Sequence, residues 1–426
     1  MRARAKPRRG APPWRGRNGT GQEPRIVQTL EHADVVILGG GCAGLSLAAH
    51  LARPGGAALR TVILEPRAAY SNDRTWSGWR GKPHLFSACV STSWARWRVA
   101  AGGRVVERGH ARRVYETIPA AAFYAEAQRR IDAAPHISLR LGTAALRTGA
   151  GIDGAWVDTE QGRLRAQIVV DTRPPPPEAG AGLLQTFTGL EIETELPCFD
   201  PAVADLMMFD APSHHHISFM YGLPLSHTRA LLELTRFSAH AMAPPSEAEV
   251  LASLAGACIP AGARFTVRRF ETGTLAMRPG LPPPLVHPRL LRLGTLAGAA
   301  RPATGYAFAS IQHQAEALAA RLRQGTQAAC GWQPAPLPAW MRFMDALFLR
   351  VLRRHPERGP DMLFSLFKHC HPAALIRFMS GTASLADAAF VAASLPPAPF
   401  LAALVSPARA PAAVLAADGL PQKAAA

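Results

Sequence analysis

The run Asp34-Val-Val-Ile-Leu-Gly-Gly-Gly-Cys-Ala-Gly-Leu-Ser-Leu-Ala-Ala-His-Leu51 leaves the chain few ways to fold. Val35 to Leu38 form an aliphatic block ending in glycine, the pattern of a buried parallel strand. Gly39, Gly41 and Gly44 then give G-x-G-x-x-G, and Leu45 to Leu51 continue as an apolar helix. In such a unit the first glycine makes the tight turn and the second admits a pyrophosphate. The third lets helix and strand pack closely, and the helix N-terminus attracts phosphate charge. Cys42 and Ala43 complete the turn that would face the phosphates. A second strand, Thr61 to Leu64, ends at Glu65, where an acid would hold a ribose hydroxyl. A glycine-rich turn without a ligand would need none of this context. The carboxylate at Glu65 disfavours a 2′-phosphate, so FAD or NAD is expected before NADP.

The chain has 426 residues, which implies two or three structural units, and 48% hydrophobic residues, which excludes disorder over most of it. Of the formal charge of +17, the first 25 residues carry a disproportionate +7. Residues 1–25 carry Arg2, Arg4, Lys6, Arg8, Arg9, Arg15, Arg17 and Arg25 against Glu23 alone, with no apolar run. They read as a disordered basic arm rather than a secretory signal. The remaining excess is mostly Arg among apolar side chains, which suits rest on an anionic bilayer face. No nucleic-acid module appears, so nucleic-acid binding is not expected. The cysteines Cys42, Cys89, Cys198, Cys258, Cys330 and Cys370 lack C-x-x-C pairing and suit a reducing cytosol. Three adjacent histidines, His214 to His216, would alternate faces on a strand and complete no metal site. No uninterrupted apolar stretch is long enough to span a bilayer, so any membrane contact would be peripheral.

Further along, Pro119 to Ala133 is expected to be a helix and His136 to Leu141 a strand. Ala155–Asp158 and Leu164–Val170 read as a hairpin turning at Glu160-Gln161-Gly162. The prolines from Pro174 to Pro177 stop that unit. Strand-like runs at Gly189–Glu195, Ile217–Tyr221, Ala230–Phe237 and Arg264–Glu271 predict a second, mostly antiparallel sheet. Leu290 to Thr295 reads as a strand returning to the nucleotide domain, followed by a helix from Phe308 to Leu322. From Trp340 to Val405 the pattern is helical, with Phe343, Leu347, Phe348, Val351, Leu352, Leu363, Phe364, Phe367 and Phe378 interleaved with arginines. That pattern fits an amphipathic interfacial helix and a core-facing bundle equally. The expected division is a basic arm (1–32), a nucleotide domain (33–182 and 290–330), a sheet domain (183–289), a helical membrane-associated region (331–408) and a flexible tail (409–426).

Five further segments carry a family resemblance: Tyr70 to Trp76, Leu184 to Thr194, Tyr221 to Ser238, Arg301 to Tyr306 and Arg377 to Gly381. The strings Asn72-Asp-Arg-Thr-Trp76 and Leu223-Pro-Leu-Ser-His-Thr-Arg-Ala-Leu-Leu-Glu-Leu-Thr235 are its most specific parts. In this order behind a dinucleotide motif, the chain resembles the bacterial lycopene β-cyclases from Asp34 to about Val405. The resemblance implies an α/β flavoprotein of glutathione-reductase-like type, with an antiparallel substrate domain and a helical C-terminal part. It would be peripheral to the cytoplasmic face of a bacterial inner membrane, and other carotenoid-pathway enzymes are conceivable partners. The implied substrate is lycopene or a related acyclic carotenoid, closed at its ends to γ-carotene and then β-carotene. FAD would be needed in reduced form, with NAD(P)H as electron donor, although substrate and product are isomers. The resemblance places the catalytic acid at Glu233 and adds Arg74, Gly294, Thr295 and Gly305 to the cofactor site. Two departures stand out: Met208 replaces an acid, with Asp210 two positions on, and Ala297-Gly298 replaces a glycine pair.

Closing a ring on a polyene end requires protonation of an unactivated alkene, so the acid must wait protonated in a dry place. Burial raises a carboxyl pKa and achieves this. Glu233 lies between Leu232 and Leu234 on an expected strand, facing opposite to both. Trp76, Trp79, Phe209, Phe219, Tyr221 and Phe237 lie in segments that could supply π faces to a cation, each contributing about 0.5–2 kcal/mol. Two other readings stay open on the sequence: an FAD monooxygenase or desaturase acting on a polyene, and a non-enzymatic carotenoid- or flavin-carrying membrane protein.

Overall fold

The computed structural model describes residues 31–405, except 56, 177, 179, 181, 255–258 and 261. The basic arm through residue 30, Cys258 and the tail after residue 405 therefore lie outside the described residues. The fold is a mixed α/β architecture with two seven-stranded sheets and one small three-stranded sheet. In the first sheet, Ile137–Arg140, Thr61–Leu64, Glu31–Leu38, Gly162–Asp171 and Leu290–Arg292 run parallel in that order. Its centre is Val35 to Leu38, each at most 1% exposed. A strand covered on both faces has no solvent side to make polar, which explains the unbroken aliphatic run. Helix Cys42–Leu51 crosses one face, packed between helices Ala120–Asp132 and Phe308–Leu322. The hairpin strands Gly154–Thr159 and Arg147–Gly151 extend the sheet antiparallel.

The second sheet runs Phe265–Met277, Leu183–Thr194, Arg229–Ser238, His216–Pro224, Val203–Phe209, Arg96–Ala101 and Arg104–Gly109. Its pairings are antiparallel except between Val203–Phe209 and Arg96–Ala101. Its last two strands come from before residue 183, out of the long excursion between Thr61–Leu64 and Ile137–Arg140. The same excursion supplies the small sheet, Thr75–Trp79, Tyr115–Pro119 and Thr92–Trp94. Trp79 stacks edge-on against Trp97 and Tyr115, with centroids 4.6 and 5.1 Å away, and so ties the small sheet to the large one.

Alternation sorts the second sheet's side chains cleanly. Ala230, Leu232 and Leu234 pack with Val250 and Leu254 of helix Glu247–Leu254. Leu231, Phe237, Ile217 and Phe219 face the other way, into the largest core. That core is closed by Val351, Leu352, Leu363, Phe364, Phe367 and Phe378 of the C-terminal helices. The apolar stripe of this region therefore turns inward, while Phe343 is 57% exposed. Among the described residues no single helix is long and apolar enough to cross a membrane; Leu385–Ala393 and Pro397–Val405 form an apolar pair bent by 108°.

The expected strand from Leu290 to Thr295 is shorter than its pattern. It ends at Arg292, and Gly294–Ala297 forms a turn of 3-10 helix. Gly294 has φ +77°, a left-handed conformation that only glycine adopts freely and that takes the chain off the sheet.

Candidate active site

The expected site residues gather in two places. At the first, Gly39 turns the chain with φ +97°, and a Cβ at Gly44 would collide with the Gly39 carbonyl. Strand and helix can meet this closely only over glycine. A Cβ at Gly41 would meet nothing within 4 Å, so space is open directly above the turn. Helix Cys42–Leu51 has no side-chain cap and no acid in its first turn, which leaves the N–H groups of Cys42, Ala43 and Gly44 available to an anion. This donor set and the gap above it fit a dinucleotide pyrophosphate.

Around that turn, Glu65 accepts from the Gly40 amide at 2.7 Å and from the backbone and Nε of Arg67 at 2.9 and 2.8 Å. Arg67 and these amides hold its carboxyl below the usual range against the opposing effect of burial. Tyr70 donates to the Gly40 carbonyl at 2.8 Å and stacks on Tyr124 at 4.3 Å, so an acid and two stacked rings stand beside the turn. Arg74 pairs with Asp73 at 2.8 Å and lies close enough to act on the Cys42 thiol, which burial pushes up to about 12. Gly294 completes the cradle, because a Cβ there would come within 2.7 Å of the Ala43 Cβ. Thr295 follows in the same 3-10 turn, and Gln314 accepts from the Gly294 amide at 2.9 Å.

Glu233 lies elsewhere, on strand Arg229–Ser238 in the second sheet. Its neighbours across the sheet are Gly189 and Tyr221, and beyond Gly189 stands Glu271. Glu233 accepts from the Thr235 hydroxyl at 2.8 Å. Burial, joined by the charge of Glu271, pushes its carboxyl up to about 8, against weaker downward pulls from Thr235 and Arg269. An acid so placed carries its proton at neutral pH. Tyr221 and Tyr115 are joined through Tyr306, and burial raises all three phenols, Tyr306 to about 12. Phe209, Tyr221 and Phe237 each pack edge-to-face on Phe219, with centroids 5.2–5.4 Å apart. Of the two departures, Met208 packs at the margin of the core on the opposite face, and Asp210 accepts from Ser218 at 2.7 Å in an exposed position.

A cavity of about 870 Å³ lies between strand Thr75–Trp79, helix Phe308–Leu322 and the turn Met379–Gly381. Trp76, Trp79, Ile118, Tyr306 and Phe308 give it apolar walls. That volume is within the range of small-molecule sites. Tyr306 lines the cavity and also contacts Tyr221, the cross-strand neighbour of Glu233. Gly305, beside it, presses on Gln185 and Leu275 of the second sheet, where a Cβ would lie 2.7 and 2.8 Å from them.

Several residues near Glu233 had no role from sequence reasoning. Arg269 binds Glu271 and donates to Glu191 at 2.9 Å and to Thr75 at 2.7 Å; Thr75 donates to Glu271 at 2.9 Å. Tyr115 and Tyr306 belong with them. Two signals were present: a glycine inside a strand, Gly189, marks a close approach, and Arg269 and Glu271 share a face at spacing two.

Solved structures with the same fold include a geranylgeranyl bacteriochlorophyll reductase-like protein from Thermoplasma acidophilum. Its TM-score is 0.57 at 13% identity, over 88% of this chain and 98% of that one. The p-nitrophenol 4-monooxygenase PnpA from Pseudomonas putida DLL-E4 gives 0.54 at 15%, over 88% and 97%. The flavin-dependent monooxygenase PieE, solved with FAD and substrate, gives 0.54 at 13%, over 85% and 71%. No curated protein matches the chain. The family model described as lycopene cyclase protein matches residues 34–405. With a cavity whose walls include Trp76, Trp79, Ile118, Tyr306 and Phe308, a neutral acid and a dinucleotide turn in one chain, that match agrees with the geometry: the protein belongs to the lycopene cyclase family.

Proposed function

We propose that this protein is a lycopene β-cyclase, an isomerase that closes the acyclic ends of lycopene into β-ionone rings. The observation that carries this reading is the placement of the Glu233 carboxyl. It lies across the sheet from Tyr221 with, among the described residues, no cation of its own and one hydrogen bond from Thr235, where burial and the Glu271 charge push it up to about 8. Glu233 would deliver its proton to the terminal double bond, leaving a tertiary cation. The neighbouring double bond attacks that cation, a ring C–H bond breaks, and the released proton restores the charge balance, so no electrons are gained or lost. The faces of Tyr221, Phe219 and Phe237 favour the cation at about 0.5–2 kcal/mol for each ring in reach. The tyrosine hydroxyls of Tyr115, Tyr221 and Tyr306, with pKa values raised by burial, stay neutral and do not compete as bases.

The cofactor would be FAD, held by Gly39, Gly41, Cys42, Ala43, Gly44, Glu65, Arg74, Gly294, Thr295 and Gly305 in a two-domain arrangement of glutathione-reductase-like type. When bound in reduced form, FAD would supply negative charge near the cation, with NAD(P)H keeping it reduced. Exposed Phe343, Leu385, Phe390 and Leu401 on the C-terminal helices support peripheral contact with a cytoplasmic membrane face, from which an apolar polyene would enter.

Expression in lycopene-accumulating cells, followed by pigment chromatography and mass measurement, tests the reading. A new cyclic pigment of unchanged mass is expected, and none should form with Glu233→Gln although FAD is retained. A product heavier by oxygen or lighter by hydrogen, formed with stoichiometric loss of reductant, would replace the cyclase by an oxidising enzyme.

A further inference from the structure

The row Glu271–Gly189–Glu233–Tyr221 crosses four adjacent strands of the second sheet on one face. The backbones of Glu271 and Glu233 are two strand spacings apart, about 10 Å. Gly189 contributes no side chain between them, and the space above it is filled from one side by Glu271. A Cβ at Gly189 would lie 3.0 Å from the Glu271 Cγ and 3.2 Å from the Leu231 Cδ1. Glu271 itself is 3% exposed. Its carboxylate is gripped by Arg269 and by the Thr75 hydroxyl, 2.9 Å away, which ties it to the segment that also carries Arg74.

The charges around it can be paired off. Arg269 faces Glu271 and one oxygen of Glu191, and Arg229 holds the other Glu191 oxygen at 2.6 Å. Burial raises the Glu271 carboxyl, and the Arg269 guanidinium with the Thr75 hydroxyl opposes that rise and holds it as a carboxylate, matched to Arg269 as Glu191 is to Arg229. Glu233 is the third carboxyl, with no cation of its own and, among the described residues, a single hydrogen bond from Thr235. The titratable and charged groups facing it are Glu271 and Arg269 from Phe265–Met277, Glu191 from Leu183–Thr194 and Tyr221 from His216–Pro224. Tyr115 from the small sheet and Tyr306 from the loop before helix Phe308–Leu322 complete the set.

We propose that Glu271 is a positioning residue for the reaction: fixed by Arg269 and Thr75 across the gap at Gly189, its negative charge keeps Glu233 in the neutral form that can give up a proton. The assignment rests on the acid role of Glu233 in the proposed cyclase. Removing the Glu271 charge acts twice in one direction. It takes away a like charge that opposes ionisation of Glu233, and it leaves Arg269 less compensated, which favours that ionisation.

The experiment is a pH profile of lycopene conversion by the FAD-loaded, reduced enzyme in detergent micelles. In Glu271→Gln the alkaline limb should move down by about one pH unit or more, with the acidic plateau largely kept. Glu271→Asp, which retains the charge, should restore the limb toward that of the parent. A lowered plateau with an unmoved limb would make Glu271 a structural residue and overturn the proposal. A readout without turnover separates this from the function itself: the infrared band of the protonated carboxyl that disappears in Glu233→Gln, followed against pH. Its midpoint should fall in Glu271→Gln, and an unchanged midpoint overturns the proposal. Full cyclisation by Glu233→Gln would instead remove Glu233 as the acid on which this assignment rests, while the infrared titration would still decide the coupling. Should Glu271→Gln fail to fold, Glu271→Met removes the charge with an apolar side chain of similar length, and the same fall or constancy of the midpoint decides.

Discussion

At Glu233 an acid with an ordinary pKa of 4.5 is held at about 8 in the folded chain. Between those values the folded state keeps a proton that the unfolded state has released. The contribution to stability is complete below about pH 4.5 and is lost as pH rises through about 8. Glutamine does not titrate, so Glu233→Gln should gain stability over the parent progressively from pH 5 to pH 8.5, by a few kcal/mol at the upper end. Urea denaturation at the two pH values checks this, and a constant difference would contradict the assigned protonation. The variant is expected to be sturdier at alkaline pH and inactive, as when an active site is built at the expense of stability. The position of this glutamate was readable in advance because Leu-Leu-Glu-Leu-Thr alternates on a strand. Its partners were not, since Glu271, Tyr115 and Tyr306 reach it from 38, 118 and 73 positions away, the first by sheet register and the other two by packing of the small sheet and of a loop.

The strand–turn–helix unit at Glu31–Leu51 works as one element, and its tolerance is least at Gly44. Gly44→Ala would force the Gly39 carbonyl aside, at a cost of about 1–3 kcal/mol from overpacking. The denaturation midpoint should drop and bound FAD, read from flavin absorbance, should be lost with it. Gly41→Ala, which meets no atom within 4 Å, should keep the apoprotein's stability and weaken only cofactor retention. Elements of this kind were legible from local pattern: helix Phe308–Leu322 has its expected bounds, and the hairpin turns at Glu160–Gln161. Others were not. Arg96–Ala101 and Arg104–Gly109 have mixed composition and gain their place from a sheet whose other strands come a hundred residues later. The helical stripe from Phe343 to Phe378 could not be assigned a partner by periodicity, because a core and a bilayer select the same side chains.

Across the whole molecule, one buried ion pair links the parts. Arg301, in the loop that ends at Tyr306, pairs with Asp345 of helix Ala339–Arg354 at 2.8 and 3.1 Å and lies over the Phe378 ring at 4.3 Å. Both side chains are at most 4% exposed. Asp345→Ala would strand a buried guanidinium, and a loss of about 3–5 kcal/mol is expected in the unfolding free energy. Because Arg301 also lines the cavity, the loss should be accompanied, in the proposed cyclase reaction, by a rise in the KM for lycopene. Before reaching that pair the chain has already passed twice through the second sheet. It lays down residues 96–109 there, goes back to add four strands to the first sheet, and returns at residue 183 before Leu290–Arg292 completes that first sheet. A gene fragment starting at residue 183 would thus encode a sheet with two of its seven strands missing and an open margin at Val203–Phe209 inviting aggregation. Evolution by swapping a terminal module is closed to such a chain; new substrates have to be reached by substitution within it.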